Sequence, residues 1–93
     1  MRVFISGPIA KHGLEKARKI FNQAEDDLRR RGHTPVNPFK DERNKMTWTE
    51  CMRLSIQDLL TCDGIYMLPA WHESKGALLE RMIATNLKLV MVK

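Results

Sequence analysis

This chain is short of cysteine, short of aromatic residues and without long apolar runs, and each shortage narrows what it can be. Only two cysteines, Cys51 and Cys62, occur in 93 residues. They have neither the paired spacing of a metal site nor the number needed to staple a secreted domain. They therefore read as free thiols of a reducing, cytoplasmic compartment. No metal and no cofactor is expected. No apolar stretch approaches the ~20 residues of a membrane helix. The opening Met1-Arg-Val-Phe-Ile-Ser6 is too short for a signal peptide and reads as a strand. The five glycines include neither a dinucleotide fingerprint nor a Walker loop. Internal repeats and low-complexity segments are absent.

What is present fits one globular domain over residues 1–93. A hydrophobic content of 43% argues against disorder. A chain of this size buries a modest core, so self-association into a homodimer or higher oligomer is expected. The net charge of +5 favours anionic partners, among them nucleotides, nucleic acid and acidic proteins. Arg29-Arg30-Arg31 fits a nucleic-acid patch. It fits better the basic, dipole-matched end of a helix, which ranks nucleic acid below a small anion.

The elements alternate. Arg2 to Ile5 is a first strand, followed by a turn at Ser6-Gly7-Pro8-Ile9-Ala10. Gly7 there allows close backbone approach and positive φ, and Pro8 stiffens the turn. Leu14, Ala17, Phe21, Ala24 and Leu28 give an amphipathic helix over about 13–31, ended by Gly32. His33 to Val36 is a second strand, placed at an edge by Pro35 and closed by Asn37-Pro38. A polar loop runs from Phe39 to Met46. Thr47-Trp-Thr-Glu50 is a capping box opening a helix over about 48–61. Trp48, Met52, Ser55 and Leu59 share one face of that helix, and Ser55, the polar exception, is expected to bond back to a carbonyl of its own helix. A third strand covers about 64–68, a third helix about 75–86 and a last strand 87–92. The order βαβαβαβ predicts an α/β fold. It is a small flavodoxin- or Rossmann-like three-layer sandwich around a parallel four-stranded sheet of order 2-1-3-4.

In such a sheet ligands bind at the carboxyl ends of the strands beside the switch point, here between strands one and three. That rim gathers Ser6, Gly7, Pro8, Asn37, Trp71, Ser74, Gly76 and Glu80, and Ile9 and Ser55 are further candidates for contact with the ligand. Ser74 is placed to cap the third helix. Gly76, Ala77 and Glu80 share one face of it, which puts a half-buried carboxylate beside small residues above a strand end. A Glu in a second helical turn is most often a solvated dipole partner. The strand, the Pro-ended turn, the Ser cap and the small residues together favour a nucleophile for glycosyl transfer, held next to two helix starts that attract an anion. Trp71 offers a face for a base. The acid that would assist the leaving group is hard to find. Asp63 begins strand three, at the wrong end of the sheet, and Asp58 lies down the second helix, away from the rim.

The segments Phe4-Ile-Ser-Gly-Pro8, Asn37-Pro38, Cys62-Asp-Gly-Ile-Tyr-Met-Leu-Pro69, Trp71 and Ser74-x-Gly-Ala-x-x-Glu80 resemble the small phage and bacterial proteins related to nucleoside 2-deoxyribosyltransferases. The resemblance covers nearly the whole chain. It implies that Glu80 attacks C1′ of a deoxyribose and displaces the base. Ser74 and Gly76 are similar to residues of the deoxynucleoside 5′-monophosphate N-glycosidases that hold the 5′-phosphate, which implies a phosphorylated nucleoside as ligand. Where enzymes of that superfamily carry an Asp that helps to protonate the base, this chain has Ser55. Loss of an acid–base group typically costs ~10²–10⁴-fold in rate. Two expectations therefore stand together. One is an enzyme that cleaves or transfers the N-glycosidic bond of a (deoxy)nucleoside 5′-monophosphate. The other is a nucleotide-binding protein that senses or sequesters its ligand without turnover.

Overall fold

The protein is described by a computed structural model covering residues 1–9, 13–39, 43 and 45–93. Among the described residues four strands and three helices alternate: β1 (Arg2–Ser6), α1 (Leu14–Arg30), β2 (Thr34–Val36), α2 (Trp48–Leu60), β3 (Gly64–Met67), α3 (Lys75–Asn86) and β4 (Val90–Val92). A 3-10 turn at Trp71–Glu73 precedes α3. The sheet is parallel throughout, in the order β2-β1-β3-β4. This is the α/β sandwich and strand order expected from the alternation. Pro35 sits in β2 at the sheet edge, opposite Val3, where its missing N–H leaves no inner ladder incomplete.

Alternation along β1 divides the core between the two faces. Val3 and Ile5 pack with Phe21, Ala24 and Leu28 of α1. Phe4 points the other way and packs with Leu59 of α2, Ile65 of β3 and Ala84 of α3. All of these except Ala24 are 0–1% exposed, and Ala24 is 6% exposed. Burying a large apolar side chain contributes ~1.5–3 kcal/mol, so β1, covered on both sides, is the strand on which the rest is assembled. No described helix is long and apolar enough to cross a membrane.

The helix ends follow their sequence signals. Thr47 and Glu50 form the reciprocal capping box of α2, at 3.2 and 2.9 Å. Gly32, at φ 86°, terminates α1 with its own N–H on the carbonyl of Arg29 and the N–H of His33 on that of Leu28. The arginines at this end are paired locally: Arg29 pairs with Glu25, while Arg30 and Arg31 share Asp27. The last strand is shorter than the 87–92 expected. Leu87 to Leu89 instead close α3, the N–H of Leu89 bonding Ala84 and that of Lys88 bonding Thr85. Gly7 corrects another expectation, because it is not among the positive-φ residues. Its importance is space: a Cβ there would lie 2.7 Å from Cβ of Leu68. Of the polar loop expected over 39–46, residues 40–42 and 44 lie outside the described residues, as does Ala10 of the turn after β1.

Lys88 occupies the left-handed region at φ 61° in the position where α1 uses Gly32. A side chain costs ~1 kcal/mol there. Lys88→Gly is expected to stabilise the fold by about that amount, read as a higher midpoint in thermal or urea unfolding. An unchanged or lower midpoint would show that Lys88 is held by something other than the helix end.

Candidate functional site

The carboxyl ends of β1 and β3 lie side by side, with Ser6 opposite Met67. The chain leaves β1 through Gly7 and Pro8, and leaves β3 through Leu68 to the 3-10 turn and the start of α3. Ser74 caps α3 as expected, its Oγ accepting from the N–H of Ala77 at 3.2 Å. That bond fixes the first turn of α3, and Glu80, one turn further on, is thereby brought over the end of β1. The Ser6 hydroxyl donates to Oε1 of Glu80 at 2.5 Å, within buried surroundings.

Glu80 is 6% exposed. Burial opposes its ionisation most strongly, while the Ser6 hydrogen bond and the positive charge of Arg43 favour the carboxylate. The balance raises its pKa from the ordinary 4.5 to about 7. The group is thus poised to be part acid and part carboxylate at neutral pH, a property more common in functional groups than in structural ones. Arg43 is itself held in place. It donates to the carbonyl of Pro38 at 3.2 Å and pairs with Asp58 at 2.9 Å, and its own carbonyl accepts from the Cys51 thiol.

Glu80 forms part of the wall of a cleft of about 450 Å³, within the ordinary size range of a small-molecule site. Gly7, Pro8 and Ile9 line it from the β1 side, Ser55 from α2, and Ser74 and Gly76 from α3. Ser6 reaches the cleft only through its bond to Glu80. Ser55 is 7% exposed. The back-bond expected of its hydroxyl does not form among the described residues. Two expected residues sit elsewhere. The ring of Trp71 lies under Arg81, whose guanidinium carbon is 4.7 Å from the ring centroid, and is not part of the cleft lining. Asn37 is buried in a structural role, bonded to Asn22 and to the N–H of Phe39.

Trp48 and the buried Phe21 supply the aromatic lining, with Met52, Cys51 and Lys75 also on the wall. The sequence held a signal for this. Trp48 and Met52 share the α2 face of Ser55, so taking Ser55 as a ligand contact brings them to the site too. Gly76 has a matching reason, since a Cβ on it would stand 3.0 Å from Sδ of Met52. Glu73 is the other carboxylate on the cleft wall among the described residues. Asp63 stays at the far end of the sheet, its backbone and side chain bonded to Arg2.

The raised pKa of Glu80 has a consequence for stability with a definite sign. Between pH 4.5 and about 7 the folded chain holds this proton more tightly than the unfolded chain. Its contribution to stability is therefore full at low pH and falls as pH rises through about 7. Glu80→Gln is expected to leave stability at pH 5 little changed and to raise it at pH 8, by an amount on the order of 3 kcal/mol. Urea unfolding at the two pH values reads the difference. Equal effects at both would mean that the carboxyl titrates normally.

Among curated proteins none matches the chain. A family model described as a domain of unknown function, DUF4406, matches residues 1–93, and the chain belongs to that family.

Proposed function

We propose that this protein binds a (deoxy)nucleoside 5′-monophosphate in the cleft between β1, α2 and α3, and that Glu80 attacks the anomeric carbon of its sugar. The observation that carries the reading is the Ser6–Glu80 contact. A carboxyl group is buried at the sheet's switch point, on the wall of a cleft sized for a small molecule, and its ionisation is balanced near neutrality. The resemblance to small nucleoside 2-deoxyribosyltransferase-like proteins, carried by Ser74-x-Gly-Ala-x-x-Glu80, points to the same chemistry.

In this reading the first turn of α3 receives the phosphate. Its backbone N–H groups and the positive end of the helix favour an anion there. The sugar then lies between that turn and Glu80. The Glu80 carboxylate forms a bond to C1′ as the bond to the base nitrogen breaks, with the electron pair leaving on the base, which takes up a proton from water. Water or a second base then attacks C1′, releases Glu80 and completes hydrolysis or transfer. Ser6 holds the carboxylate in place for this attack by donating to its Oε1.

Ser55 favours a second reading, binding without turnover. A hydroxyl cannot supply the proton that a carboxylic acid would, and among the described residues the exposed Glu73 is the remaining acid on the cleft wall. The nucleic-acid reading has less support, because each arginine of the 29–31 run is paired with an acid of its own helix.

Incubation with the four deoxynucleoside 5′-monophosphates, followed by chromatography for free base, separates the readings. Turnover is expected to rise with pH through about 7 as Glu80 ionises, and to disappear in Glu80→Ala. Nucleotide binding with no base released would establish the binding module instead. Absence of both would remove the nucleotide reading.

A further inference from the structure

The mouth of the cleft holds a cation on an aromatic ring. Lys75, the first residue of α3, places its Nζ 4.2 Å from the ring centroid of Trp48, the first residue of α2. Both residues line the cleft. Lys75 pairs with no carboxylate among the described residues, so the indole is what holds its ammonium group. Such a contact at an exposed site is weak, roughly 0.5–1 kcal/mol. A phosphate is a better partner for an ammonium than a ring, because it offers a full charge and strong acceptor oxygens.

The position of this lysine matters. It stands directly after the Ser74 cap, whose hydroxyl already occupies the N–H of Ala77. The N–H groups of Lys75 and Gly76 belong to the same first turn, where the helix provides no acceptor of its own. Ser55 is a separate indication that a ligand enters here. It is 7% exposed, lines the same cleft from the opposite helix, and its hydroxyl has no hydrogen-bond partner among the described residues.

We propose that Lys75 and Trp48 form a latch operated by phosphate. In the free protein the ammonium covers one face of the indole. A ligand phosphate at the start of α3 draws the ammonium away and uncovers that face for the ligand's base. This rests on the nucleotide reading above and names the selectivity it produces. A nucleoside must compete with Lys75 for the ring, whereas a 5′-monophosphate removes the competitor as it binds. Trp48 thus takes the base-facing role that the sequence suggested for Trp71, and the ring stays masked until the correct ligand class arrives.

The latch makes a two-sided demand that a simple phosphate contact does not. In Lys75→Gln the phosphate loses a partner and the ring loses its cover. Affinity for the deoxynucleoside 5′-monophosphates is expected to fall about tenfold, while affinity for the corresponding deoxynucleosides rises about two- to fivefold. Lys75→Arg, which keeps the charge, is expected to keep the preference for the monophosphates. Titration calorimetry reads both affinities. In a Trp71→Phe background, Trp48 emission is expected to change when a monophosphate is added to the wild-type lysine form and to respond less in Lys75→Gln. A monophosphate preference unchanged by Lys75→Gln overturns the latch and leaves the nucleotide reading standing. Weaker monophosphate binding with unchanged nucleoside binding also overturns it, reducing Lys75 to a phosphate contact. Failure of the wild-type protein to bind either ligand class overturns both.

Discussion

A single hydrogen bond joins the two ends of this chain's chemistry. Ser6 ends the first strand and Glu80 lies 74 residues later, in the second turn of the last helix. The contact exists only if the sheet has closed in its observed order, because β3 must lie against β1 to deliver α3 above the strand end. It also needs Ser74 to start α3 at the right residue. A helix started one residue later would turn Glu80 by about a quarter of a circle and remove the carboxylate from the hydroxyl. Fold and candidate chemistry therefore share the same constraint.

A carboxyl group buried with one hydroxyl donor is not a stabilising choice. The charged form is costly to bury, and neither the donated hydrogen bond nor the more distant Arg43 restores an ordinary pKa. An apolar residue of similar size would pack there without that cost. Retaining an acid at such a place is what an active or binding site requires. Arg43 extends the arrangement outward. Through Asp58, Pro38 and Cys51 it ties the segment before α2 to the helix itself, so the charge that tempers Glu80 is fixed by the same elements that shape the cleft.

Much of the fold was legible because it depends on periodicity and end signals. Leu14 to Leu28 marked α1, Thr47 and Glu50 marked the start of α2, and Ser74 marked the start of α3. Pro35 marked the edge strand. Glu80 and Ser6 were legible for a related reason: strand ends and first helical turns are fixed by topology. Trp71 was less so, because a residue in a connecting turn has no periodicity to orient it, and here the guanidinium of Arg81 competes for its ring. Asn37 lies at a strand end, yet its amide is used by Asn22 and the backbone of Phe39. The limits of β4 escaped the sequence because Leu87 and Leu89, alternating about Lys88, have the pattern of a strand, while the end of α3 needs the backbone N–H groups of this segment.

The central claim is that this cleft seats a nucleotide with its sugar against Glu80. A crystal structure of the protein soaked with a deoxynucleoside 5′-monophosphate tests it most directly. The expected result is the phosphate at the first turn of α3 and the anomeric carbon roughly 3–3.5 Å from a Glu80 oxygen. A nucleotide bound elsewhere on the surface, or seated in the cleft with its sugar turned away from Glu80, would contradict it.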